Sequence, residues 1–75
     1  MLGRRISDLL AVARTRAGFS QTDVASVLRR PPSWIAKLET NRRRLLFHEA
    51  VVLARLYGVP VTAFDPFVED EGNAT

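Results

Sequence analysis

The sequence predicts an all-α fold, a compact bundle of five helices in one small domain. Apolar residues recur at steps of three and four along much of the chain, as on one face of an α-helix. Glycine and proline interrupt these runs at intervals that suit short helices, and no run alternates apolar and polar residues as a strand does. With 75 residues and no cysteine, the domain has a thin core that no disulfide reinforces.

The first two helices are indicated by apolar stripes and by the residues that stop and start them. Helix one covers about residues 4–16, and its inward face consists of Ile6, Leu9, Leu10, Ala13 and Ala17. Gly18 ends it, because glycine adopts a left-handed conformation readily. Ser20 and Asp23 have the spacing of a capping box, so helix two begins directly after Ser20 and runs for about eight residues.

A proline pair separates helix two from helix three. Pro31 cannot continue a helix, whereas Pro32 suits the first helical position, where a backbone N–H would have no partner. Helix three therefore covers about residues 32–40 and buries Ile35 and Leu38. Asn41 follows, at a position where a left-handed residue is tolerated.

Two more helices complete the predicted bundle. Helix four covers about residues 46–57 and ends at Gly58, and a short helix five follows Pro60 with Val61 and Phe64 inward. We assign residues 1–68 to the single domain. Residues 69–75 are predicted to be an acidic, flexible tail.

The charge is unevenly distributed along the chain. Residues 1–44 contain ten basic and three acidic residues, a net charge of +7, whereas residues 45–75 carry a net charge of −4. This polarity favours an anionic partner that meets one side of the molecule, although a solvated arginine-rich surface is the alternative. The chain shows no membrane-spanning stretch or signal peptide, so we expect a soluble cytoplasmic protein.

The short connection between helices two and three predicts a helix-turn-helix. Two short helices joined by about three residues cross steeply, and the second can project into the DNA major groove. At about 100° per residue, the face of helix three opposite Ile35 and Leu38 is small, polar and positive. It consists of Ser33, Ala36, Lys37 and Thr40. Such residues can contact base edges, and the alternative is a solvated helix face.

Three segments carry a family likeness: SQTDVA at 20–25, SWIAKLE at 33–39 and LARLYGV at 53–59. Together they resemble the lambda repressor/Cro-like helix-turn-helix family, often called XRE. The resemblance implies a five-helix fold that binds double-stranded DNA without a cofactor. It also implies that Gln21 binds a phosphate and supports helix three, and that Arg14 pairs with Glu39. The residues that it places against bases or their backbone are Pro32, Ser33, Ala36 and Lys37.

The chain departs from the family pattern at the corner. The family usually has glycine and then an apolar residue where this chain has Arg29 and Arg30. Phosphate contact and simple exposure both remain open for these two arginines, and the predicted phosphate set includes Arg30. Pro32 cannot form the pairing with Gln21 that relatives make through a glutamine, so operator preference cannot be transferred from them.

The remaining assignments concern the DNA backbone, the dimer and Trp34. Arginine forks suit phosphates, so Arg30, Arg42, Arg43 and Arg44 are predicted phosphate contacts. The predicted set also includes Thr40 and, as the resemblance implies, Gln21. Trp34 either stacks on the DNA backbone or covers the core edge, and its lateral position favours the core. The end of the chain is more apolar than one thin core requires, so the predicted homodimer interface consists of Val61, Phe64, Phe67 and Val68.

The sequence thus predicts a sequence-specific DNA-binding transcriptional regulator, a repressor or an activator. The alternative is a protein-binding module of the same fold, antitoxin-like or polymerase-contacting, that uses the acidic C-terminal end. No nucleophile and base are suitably spaced, and His48 stands alone, so we expect neither an enzyme nor a metal site.

Overall fold

The computed structural model describes residues 5–65, and within that range all regular structure is helical. Four α-helices follow one another: α1 Ile6–Arg16, α2 Gln21–Leu28, α3 Pro32–Glu39 and α4 Phe47–Tyr57. A 3₁₀ helix, Val61–Phe64, replaces the predicted fifth α-helix. The all-α prediction is therefore confirmed, but the prediction of five α-helices is wrong, because Pro60 and Pro66 leave room for little more than one turn.

Local backbone chemistry sets the helix boundaries. The Ser20 hydroxyl accepts a hydrogen bond from the Asp23 N–H at 3.0 Å, and the Asp23 carboxylate accepts one from the Ser20 N–H at 2.9 Å. This is the capping box that the sequence predicts. Gly58 ends α4 with a φ of 72°, and Asn41 follows α3 with a φ of 61°, both in the left-handed region.

The core lies where α1, α3 and α4 meet, with α2 packed against α3. Its fully buried side chains are Leu10, Val24, Ile35, Leu38 and Leu53. The predicted stripe of α1 is buried only at its centre, because Ile6 and Ala17 at its two ends are exposed. No helix in the described range has the length and apolar character needed to cross a membrane.

The predicted dimer interface needs one correction. Phe64 is only 3% exposed and packs edge-on against Tyr57, with the ring centroids 6.4 Å apart. It therefore belongs to the core of its own chain, and almost none of its surface is available for contact with a second copy. Val61 is half-buried, and Phe67 and Val68 lie outside the described residues, as does the predicted tail at 69–75.

Candidate nucleic-acid interface

One face of α3 is available to a partner and the other is buried. Pro32, Ser33 and Lys37 are exposed, and Ala36 is half-buried between them. Trp34, Ile35 and Leu38 form the buried face. The Thr40 hydroxyl, exposed at the C-terminal end, donates a hydrogen bond to the Ala36 carbonyl at 2.8 Å. The predicted base-reading side chains therefore lie together on a helix whose orientation is fixed by its apolar side.

The corner before α3 is built by a left-handed residue and two prolines. Arg29 ends α2 with a φ of 56°, at the position where the family that the chain resembles usually has glycine. The Arg30 N–H donates to the Ala25 carbonyl at 2.9 Å, and the Trp34 N–H donates to the Pro31 carbonyl at 2.9 Å. These bonds satisfy backbone groups at both sides of the turn. The Arg30 side chain remains exposed.

The buried carboxylate of Glu39, at the end of α3, connects three segments of the chain. Arg14 Nε donates to Glu39 Oε2 at 2.7 Å, and Arg14 Nη2 donates to Glu39 Oε1 at 3.1 Å. Arg14 Nη1 also donates to the Phe19 carbonyl at 2.8 Å. The hydrogen bond to Glu39 raises the pKa of Arg14 above its usual value. The ion pair implied by the family resemblance is thus present, as a bidentate fork.

The Gln21 side chain also hydrogen-bonds to the Glu39 carboxylate and does not project freely from α2. Its Nε2 donates to Glu39 Oε1 at 2.9 Å, and the side chain is half-buried. The structure therefore shows the support of α3 that the resemblance implies for Gln21. Contact of Gln21 with a phosphate stays a prediction.

The three consecutive arginines after α3 have different environments. Arg42 and Arg44 are exposed, as expected for phosphate ligands. Arg43 is instead half-buried, and its Nη1 donates to Glu49 Oε1 at 2.8 Å and to the Arg44 carbonyl at 3.2 Å. A buried carboxylate of α4 thus holds one side of the Arg43 guanidinium, and contact of Arg43 with a phosphate stays a prediction.

Comparison of the chain with sequence profiles of known families shows which family it belongs to. The profile of the helix-turn-helix domain matches residues 5–67, which covers all four helices and the 3₁₀ helix. The chain belongs to the helix-turn-helix domain family. In this helix-turn-helix domain, α2 and α3 form the two-helix unit, and the face described above belongs to its second helix. A search of curated proteins finds no match.

The sequence did not reveal the role of Glu49 in this helix-turn-helix domain. Its carboxylate accepts hydrogen bonds from Arg43 and from the Leu46 N–H, the latter at 3.0 Å. Glutamate at the third position of a helix is a known capping signal, but Leu46 ahead of it has no polar side chain to complete the pattern. The described residues contain no group of three side chains that could hold a metal ion.

The pH dependence of stability should report the Glu49 contacts. Burial alone would raise the pKa of Glu49, but the hydrogen bonds from Arg43 and the Leu46 N–H outweigh it and lower the pKa. Because the pKa of Glu49 is lower in the folded than in the unfolded protein, its ionised carboxylate stabilises the fold at any pH above the ordinary glutamate pKa of about 4.3. This stabilisation is lost as the pH falls through the pKa of the folded protein. We expect the stability difference between the natural protein and Glu49→Gln to be largest near neutral pH and to shrink on acidification, as measured by urea unfolding.

Asp8→Asn serves as the control, because Asp8 is an exposed carboxylate in the first turn of α1. A Glu49→Gln curve parallel to that of the natural protein from neutral to acidic pH would contradict the assignment.

Proposed function

We propose that this protein is a sequence-specific double-stranded DNA-binding transcriptional regulator that inserts α3 into the major groove. The observation that carries the proposal is the exposed face of α3, where Ser33 and Lys37 project from a helix fixed by its buried side. Serine and lysine can hydrogen-bond to base edges, and the small Ala36 lets the helix approach a thymine methyl group. Pro32 lies at the N-terminal end of that face.

Backbone contacts are proposed around this face. The exposed Arg30, Arg42 and Arg44 precede and follow α3, and the exposed Thr40 ends it. Arginine binds phosphate through its planar fork, and each contact releases counterions, so affinity should fall as salt rises. We propose binding alone as the activity, without catalysis or a cofactor, in the cytoplasm.

The subtype, the domain bounds and the oligomeric state are also proposed. We place the chain in the lambda repressor/Cro-like subtype, with residues 1–68 as the domain and an acidic segment at 69–75. We also propose a homodimer that presents two α3 helices to half-sites about one helical turn apart. Its contact would include Val61, which with Ile6, Leu46 and Phe47 lines an apolar groove of about 340 Å³.

One observation favours the second candidate, a protein-binding module of the same fold. Phe47, at the start of α4, is 75% exposed, and with the exposed Ile6 and Leu46 it forms an apolar patch of the kind that marks protein contacts. A module of this kind would recognise a protein through the groove and show no affinity for DNA.

Selection of bound duplexes from random-sequence DNA tests the proposal. We expect enrichment of a motif with two related half-sites whose centres are about 10 bp apart. Lys37→Glu is the control variant, because it reverses a charge on the proposed face at an exposed position and leaves the core untouched. Failure to enrich any motif, with no salt-dependent affinity for duplex, would favour the protein-binding module.

A further inference from the structure

An aromatic ring at the corner lies close to two arginines. The guanidinium carbon of Arg30 lies 5.1 Å from the centroid of the Trp34 ring, and that of Arg43 lies 5.9 Å from it. Trp34 is only 7% exposed, so core packing fixes the ring. Both distances are within the range over which the negative face of a tryptophan attracts a cation.

The two arginines are not equivalent. Arg43 is bound to the buried carboxylate of Glu49, so it connects α4 to the ring and belongs to the support of the corner. Arg30 is exposed, and its guanidinium makes no hydrogen bond to any residue in the range 5–65. Its N–H donors therefore remain available for an external anion, while its flat face can rest on the ring.

We propose that Trp34 is a positioning residue that holds Arg30 ready to bind one DNA phosphate beside the first turn of α3. The inference rests on the proposed function and deepens it. The Trp34 ring beside Arg30 belongs to the first turn of α3, so the Arg30 guanidinium lies at the N-terminal end of the helix that would enter the groove. A side chain held in place before binding loses less rotamer freedom in the complex than a free one.

The test compares charged and uncharged substitutions in the salt dependence of binding to a labelled duplex of mixed sequence. Phosphate contacts do not depend on sequence, so no operator is needed. Arg30→Ala should reduce the slope of log affinity against log salt by about 0.9. Trp34→Leu changes no charge, yet it should weaken binding roughly two- to fivefold, the equivalent of an exposed cation–π contact.

A double-mutant cycle separates positioning from general damage. In the Arg30→Ala background, Trp34→Leu should cause no further loss of affinity, because the ring acts through Arg30. Trp34→Phe should retain most of the natural affinity, since it keeps an aromatic face and the indole Nε1 has no hydrogen-bond partner among the described residues to lose. Arg55→Ala, which removes an exposed charge from the last turn of α4, is the matched control and should keep the natural slope.

Fluorescence gives an independent measurement, because Trp34 is the only tryptophan in the chain. Duplex binding should change its emission in the natural protein and in Arg55→Ala, but not in Arg30→Ala, since a phosphate bound to Arg30 alters the charge over the ring. This measurement also decides the question if Trp34→Leu fails to fold by circular dichroism.

Three outcomes would each overturn the inference. They are an unchanged salt slope for Arg30→Ala, additive losses of affinity in the double-mutant cycle, and a change in Trp34 emission that persists in Arg30→Ala. In all three cases the natural protein still binds duplex, so the proposed function stands. Absence of duplex binding by the natural protein would overturn both.

Discussion

Replacing Arg14 by alanine is expected to lower the free energy of unfolding by about 3–5 kcal/mol, the effect of removing one partner from a buried ion pair. The side chains of Arg14 and Glu39 are 13% and 4% exposed. The variant therefore leaves a carboxylate away from water, and Gln21 is its one remaining side-chain partner within residues 5–65. Since small domains are stabilised by only about 5–15 kcal/mol, a large part of the stability should disappear. Urea unfolding followed by circular dichroism measures the change.

Arg16→Ala is the matched control, because Arg16 lies in the same last turn of α1 but is exposed. It should change stability by less than about 0.5 kcal/mol. Replacing Arg14 and Glu39 together by methionine should recover much of the loss, since no charge is then buried without its partner. Equal effects of Arg14→Ala and Arg16→Ala would mean that the fork contributes little.

Replacing Lys37 by alanine is expected to remove about 1–3 kcal/mol of discrimination between the selected operator and random duplex. Lys37 is exposed on α3, on the face opposite the buried Ile35 and Leu38, where its ammonium can reach a base edge. A base contact exists only on the correct sequence, so affinity for operator should fall while affinity for random duplex changes little. Parallel titrations of both duplexes at one salt concentration measure the difference.

Arg44→Ala provides the comparison for Lys37→Ala. Arg44 is exposed and is proposed to bind a phosphate, so its removal should weaken both duplexes to a similar extent and reduce the salt slope by about one. If Lys37→Ala behaves in the same way, Lys37 contacts the backbone and does not read bases.

The helices could be predicted because their start and stop signals are local in sequence. Ser20 with Asp23, Pro32, Gly18 and Gly58 each act within a few residues, and α2 to α4 begin and end within about one residue of the predicted positions. The 3₁₀ helix was predicted as an α-helix because the pattern of Val61 and Phe64 shows which side is inward but not how the backbone bonds.

The candidate site was harder to predict because its contacts join distant parts of the chain. Glu39 was assigned to Arg14 only through a family resemblance, and no spacing rule indicates that Gln21 shares the same carboxylate. Phe64 was placed in a dimer interface because apolar character does not distinguish a residue that packs in its own core from one that packs on a second copy. The contact of Arg43 with Glu49 was missed for a similar reason.

Within the eight residues of α3, the buried residues maintain the fold and the exposed residues form the face that is free to contact a partner. Ser33 and Lys37 can change with little effect on folding, whereas Trp34, Ile35 and Leu38 maintain the scaffold. Under the proposed function, selection could change the preferred DNA sequence by one or two substitutions on the exposed face, with no compensating change in the core.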